Sequence, residues 1–429
     1  MIKIIHSTHE ACRTLLNHII NRNVLEQRDV EETVRGILQE VRLQGDQALM
    51  RYAQQFDQIL FKDSAAFTIA TAQMEQGFVS LQPQVQEALH TAYQRIWEYH
   101  LRQKAESWQY QDALHSTLGQ KISAIDRVGI YVPGGQASYP SSILMNSIPA
   151  RIAGVKSMVM VTSGDPRTMN PLMLAGAHLA GIDKIYTIGG AQAIAALAYG
   201  TASNKVDKIV GPGNKYVAEA KRQVFGKVGI DMIAGPSEVL IIADGSVNPD
   251  WVAMDLFAQA EHDQDAHAIM LCPDEPYIQK VAQSMQHLIE QMPRRDVITA
   301  SLAKHGALIK VTDMAEAFAI SNTIAPEHLE IMAAQPEQYL PQVEHAGAIF
   351  LGAYSSEALG DYCAGPNHVL PTASTARFAS PLGVYDFQKR SSIIHISEQG
   401  ANTLANTASQ IANHENLTAH SQAALMRML

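Results

Sequence analysis

Between residues 128 and 351, short β-rich runs alternate with amphipathic stretches, and few folds accommodate that rhythm. The runs are 128–132, 157–162, 184–188, 208–210, 239–243, 268–272, 307–311 and 348–351. Helical patterns at 141–153, 171–180, 191–198, 215–224, 251–261 and 277–291 separate them. Strands that alternate with helices predict an α/β fold with largely parallel sheets. Ligands in such sheets are expected at the carboxyl ends of the strands.

The flanks read differently. Residues 1–122 are mostly helical in pattern: Val34, Ile37, Leu38 and Val41 share one face of a helix over 30–43, and 79–101 reads as a second long helix. From about Arg377 the chain turns Ala/Asn/Thr/Gln-rich and helical, with helices expected over 401–414 and 418–429. The expected division is a discontinuous α/β domain of 1–126 with 235–376, an inserted α/β domain of 127–234, and a helical tail of 377–429.

Gly/Pro clusters punctuate the strand ends. Val132-Pro-Gly-Gly135, Gly189-Gly-Ala-Gln192 and Gly211-Pro-Gly-Asn214 each follow a strand, and Ala234-Gly-Pro-Ser237 precedes one. None is a GxGxxG fingerprint. Glycines at strand-to-helix turns let backbone N–H groups approach an anion, so three such turns point to an anionic or nucleotide ligand.

Side chains capable of chemistry concentrate in four places. The loop 360–372, Gly-Asp-Tyr-Cys-Ala-Gly-Pro-Asn-His-Val-Leu-Pro-Thr, carries Asp361, Cys363 and His368 on a backbone too rich in Gly and Pro for a regular element. Gln259 and His262 lie at i and i+3 near a helix end and share a face. Glu327 and His328 adjoin Pro326, which marks a turn. Glu415 and His420 sit at a corner between two helices, where Asn416 suits a left-handed C-cap and Thr418 an N-cap. Together, Gln259, His262, Asp361 and His420 match a four-ligand N/O site of the kind zinc accepts.

Composition narrows the classes. A net charge of −10 disfavours nucleic acid or an anionic membrane as partner. Three widely spaced cysteines without a CxxC argue against a disulfide framework, and no apolar run is long enough for a membrane span. A cytoplasmic enzyme is the default expectation.

The ordered motifs resemble those of the histidinol dehydrogenase family nearly end to end. They are Val128-Gly-Ile-Tyr-Val-Pro-Gly-Gly135, Gly189-Gly-Ala-Gln-Ala-Ile-Ala-Ala-Leu-Ala198, Gly211-Pro-Gly-Asn214, Ala234-Gly-Pro-Ser-Glu238, Gln259-Ala-Glu-His262, Ala325-Pro-Glu-His-Leu329, Gly360-Asp-Tyr362, Ala364-Gly-Pro-Asn-His-Val-Leu-Pro-Thr372 and Ala419-His420. The resemblance implies a zinc enzyme that oxidises L-histidinol to L-histidine with two NAD⁺ through bound histidinaldehyde. It implies zinc ligands Gln259, His262, Asp361 and His420, one zinc per subunit, and an acid/base pair of Glu327 and His328. Ser237, His368 and Glu415 would join these residues in binding substrate, and Tyr131, Gln192 and Asn214 would line the NAD⁺ site. It also implies a homodimer whose tail completes the partner's site. Two other chemistries fit some of the same residues. A zinc hydrolase would use Glu327 to activate water, and a thiol mechanism would use Cys363, for which the motif supplies no dedicated base.

Overall fold

The computed structural model describes residues 2–20, 28–134, 139–201 and 205–428. Gly135 of the first Gly/Pro cluster and Leu429 at the end of the tail lie outside them.

In chain order the strands are β1 (Lys3–His6), β2 (Thr68–Ala70), β3 (Trp108–Gln111), β4 (Thr117–Ala124), β5 (Arg127–Tyr131), β6 (Ser157–Val161), β7 (Lys184–Tyr186) and β8 (Lys208–Val210). They continue with β9 (Gly229–Ile230), β10 (Glu238–Ala243), β11 (His267–Cys272), β12 (Ala307–Lys310), β13 (His328–Met332), β14 (Ala348–Leu351) and β15 (Gln388–His395). One six-stranded sheet has the order β1-β12-β11-β10-β13-β14, parallel throughout. A second has the order β2-β7-β6-β5-β8-β9, parallel except that β2 joins β7 antiparallel. A small antiparallel sheet, β15-β4-β3, ties the tail region to the stretch before β5.

Buried strands covered on both faces should be continuously apolar. Ile241, Ile242, Met270, Leu271 and Leu308 are all 0% exposed, as that rule requires. Helices close both faces of each sheet. Pro140–Ala153 packs on the second sheet with Ile143, Leu144, Met145 and Ile148 inward. Arg28–Gln44 packs on the other face through Val34, Ile37, Leu38 and Val41, the stripe read from the sequence.

All eight expected strands form, and β13 is the addition that matters. Its residues follow Pro326 too closely to look like a strand, yet His328–Met332 is fully buried between β10 and β14. The first 122 residues are less purely helical than their pattern suggests, because β1 and β2 each complete the edge of a sheet and β3 and β4 form the small sheet with β15, a strand in the otherwise helical tail. The helix expected over 79–101 forms over Pro83–Leu101, starting where proline is pre-set for a first turn, while Val79 ends the preceding helix Thr71–Val79. At the tail corner Asn416 does take the left-handed conformation, with φ 60°. Thr418 does not cap; Leu417 holds the N-cap position of Thr418–Leu425, with no side-chain hydrogen bond.

Candidate active site and metal-capable cluster

The two large sheets carry their candidate residues at opposite ends of their strands. Turns 189–190 and 211–214, with Pro133 and Gly134, lie at the carboxyl ends of β7, β8 and β5, where a parallel sheet is expected to bind. In the other sheet the chemically capable residues gather at the amino ends. Glu238 opens β10, His328 opens β13, and Gln259 and His262 precede β11. The short passage 231–237 explains the reversal, since it leaves β9 at its carboxyl end and enters β10 at its amino end. The candidate residues therefore lie at carboxyl ends in one sheet and at amino ends in the other.

Glu327 and His328 form the buried centre, 6% and 4% exposed. Both are held by Glu238: its N–H donates to Glu327 Oε2 (2.9 Å), and its carbonyl lies 3.1 Å from His328 Nδ1. A carbonyl can only accept, so Nδ1 carries a proton and Nε2 faces the site, 3.7 Å from Asp361 Oδ1. Nε2 itself has no hydrogen-bond partner. Ala325, just before the pair, holds φ 51° without being glycine, a strained backbone of the kind found beside functional groups.

Burial pushes the Glu327 carboxyl up to about 8, with the His328 imidazole opposing and Glu238 adding to it. For His328 burial works against the charged form. The carboxylates of Glu357, Glu327 and Asp361 outweigh it and raise its proton affinity well above the ordinary value. Asp361 is also pushed up by burial, yet His328 and His368 more than reverse that and hold it below the usual carboxylate range.

The loop bearing Asp361 is a wide π-helical turn, Gly360–Ala364. Such turns often occur at functional sites. Arg95, from the helix Pro83–Leu101, pins it by donating to the carbonyls of Cys363 (2.7 Å) and Ala364 (3.1 Å). His368 turns back onto it, Nδ1 bonding to the Asp361 carbonyl (2.9 Å) while Nε2 lies 3.5 Å from Ser142 Oγ. Cys363 packs instead against the apolar core of the second sheet. That placement gives the thiol mechanism no support.

Among the described residues, His262, Glu357 and Asp361 are the group able to hold a metal ion, their ligand atoms all within 4.8 Å of one another. One imidazole and two carboxylates suit a divalent cation that takes N/O ligands. Gln259 is fully buried beside them. With its amide nitrogen toward Glu357, it donates to both carboxylate oxygens (2.8 and 3.0 Å), which leaves its carbonyl oxygen directed elsewhere. Sequence reasoning missed Glu357 and Glu238. Glu357 could have been found, because it stands four residues before Asp361, one helical turn away. Glu238 acts mostly through its backbone, which no side-chain pattern reveals.

The remaining expected residues are placed as follows. Ser237 is half-buried directly before β10. Tyr131, 4% exposed, accepts from the Gly190 N–H through its hydroxyl (3.2 Å), with Gln192 buried in the same turn. Asn214 caps the helix Lys215–Val224, accepting from Tyr216 N–H (3.0 Å) and Val217 N–H (3.2 Å). Glu415 and His420 are exposed on the tail, where Glu398–His414 and Thr418–Leu425 pack on each other. Within one chain His420 does not belong to the metal-capable group.

Fold and site together define an α/β protein of two largely parallel sheets, with a buried carboxyl–imidazole pair beside a metal-capable cluster in one and glycine-rich turns at the strand ends of the other. The family model for histidinol dehydrogenase matches residues 20–428. The histidinol dehydrogenase of Nitrosomonas europaea is 54% identical over the whole of both chains, and that of Cupriavidus pinatubonensis is 56% identical over 94% of this chain and 92% of its own. The crystal structure of histidinol dehydrogenase from Elizabethkingia anophelis superposes with a TM-score of 0.93 at 33% identity, covering 99% of this chain and 98% of that one. The chain belongs to the histidinol dehydrogenase family.

Proposed function

We propose that this protein oxidises L-histidinol to L-histidine by way of bound L-histidinaldehyde, reducing two NAD⁺, with one zinc ion per subunit. The observation that carries the reading is the meeting of Glu327 and His328 with Asp361, at the edge of the His262–Glu357–Asp361 cluster. Gln259, His262 and Asp361 would hold the metal, which supplies an anchor for the substrate's imidazole and amine.

Alcohol oxidation requires loss of the hydroxyl proton as hydride leaves the carbon for NAD⁺. His328 Nε2 faces the site without a partner and takes that proton. A cation held by Asp361 would offset part of the negative charge that bears on His328 and so lower its proton affinity. Aldehyde oxidation needs water added first, and the Glu327 carboxylate activates it. His368, Ser237 and Glu415 contact the substrate. Tyr131, Gln192 and Asn214, at the turns after β5, β7 and β8, line the dinucleotide site.

We assign the sheets to two units, 1–126 with 235–376 and 127–234, with 377–429 as the tail. The exposure of Glu415 and His420 supports a homodimer in which each tail completes the partner's site. A cytoplasmic enzyme fits the composition. Among the described residues no helix is long and apolar enough to cross a membrane.

The test mixes zinc-replete protein, L-histidinol and NAD⁺, follows NADH absorbance, and measures bound metal. The expected yield is two NADH per histidinol with one zinc per subunit. Absence of NADH in the metal-replete protein would overturn the reading and return a zinc hydrolase to consideration.

A further inference from the structure

The second sheet contains a buried ion pair with no part in the chemistry above. Lys221, on the helix Lys215–Val224, pairs with Asp231, which directly follows β9. Their side chains are 4% and 1% exposed. Both grip the same residue. Lys221 Nζ donates to the Gly211 carbonyl (2.9 Å), and the Gly211 N–H donates to Asp231 Oδ2 (2.7 Å). Gly211 stands at φ +114°, and a Cβ there would collide with the carbonyl oxygen of Tyr131.

A buried ion pair often stabilises no more than an apolar pair of the same shape. What the charges add here is direction. An ammonium holds the carbonyl and a carboxylate holds the amide of one residue, so the peptide planes on both sides of Gly211 are fixed. Three residues later Asn214 opens the helix Lys215–Val224, whose first N–H groups lie at this sheet edge. Tyr131, against which Gly211 packs, is itself bonded to the Gly190 turn. Asp231 also begins the passage 231–237 toward Ser237, so the clasp joins the turn to the chain's crossing between sheets.

We propose that Lys221 and Asp231 are positioning residues that hold the 211–214 turn in the conformation required by the dinucleotide. The proposal rests on the dinucleotide reading of this sheet edge. Neither residue touches the substrate or the metal-capable cluster in its assigned role, so their loss acts on one ligand and not the other.

The test uses the zinc-loaded full-length enzyme. Lys221→Met alone leaves Asp231 buried without its cation and can fail to fold. The double variant Lys221→Met/Asp231→Asn removes both charges and keeps an acceptor for Gly211 N–H. Calorimetric titration should show the NAD⁺ dissociation constant raised about tenfold, the loss expected for one charge-assisted bond. L-Histidinol affinity and zinc content should stay within about twofold of wild type. Lys221→Arg, which returns a cation to the Gly211 carbonyl, should recover most of the lost NAD⁺ affinity. An unchanged NAD⁺ dissociation constant in the folded double variant, or equal losses for both ligands, would overturn the proposal. Wild-type protein that forms no NADH would instead overturn the dehydrogenase reading.

Discussion

At Glu327 and His328 burial and charge pull in opposite directions. Burial favours the neutral form of each, while the surrounding carboxylates favour a proton on His328. A carboxyl pushed up to about 8 is protonated at neutral pH and becomes a base only above that value. The aldehyde step, assigned to Glu327, should therefore quicken as pH rises through about 8. Initial rates of L-histidinaldehyde oxidation across that range check this. Glu327→Gln should lose the rising limb and slow the step by about 10²–10⁴-fold. A wild-type profile flat across the range would remove Glu327 from that role. The residues of this pair were legible in the sequence because Pro326 marks them. Their setting was not: the run after Glu327 gives no sign that His328 begins a buried strand, or that Glu238 would bind both from a distant segment.

The elements that carry site residues are irregular where they approach the site. The turn Gly360–Ala364 is wound as a single π turn and ends at Gly365, with φ +120°. A Cβ at Gly365 would sit 2.9 Å from the Arg95 carbonyl oxygen. Gly365→Ala meets a forbidden dihedral and a backbone contact together, so it should destabilise the fold by about 2 kcal/mol. It should also weaken metal binding, since Arg95 and this turn place Asp361. Urea unfolding and zinc competition measure the two effects. A variant equal to wild type in both would mean that the turn does not depend on this conformation. Strand order itself was open to sequence reasoning only in part. Period and composition locate the runs, but not that β1 and β2, short and far upstream, close an edge of each sheet.

For the whole molecule, the open question is what the tail does. Glu398–His414 and Thr418–Leu425 form a hairpin that lifts His420 into solvent, while β15 and the tail expose Ile394 (70%), Ile411 (57%) and Met426 (80%). Exposed apolar side chains of this kind on the tail would be buried by a second subunit docked there. If the partner's His420 completes each metal site, the defects of two inactive variants fall on the same site within a mixed dimer. In a dimer of His262→Ala with His420→Ala, one site combines both lesions and the other has neither. Random reassociation makes about half the dimers mixed, so about a quarter of wild-type sites should return. Denaturing the two variants together, refolding them with zinc and assaying NADH formation measures this. Recovery near that fraction places the ligand in trans. If mixing restores nothing, although both variants refold as dimers, His420 acts within its own chain, and the tail must then fold back onto its own sheet.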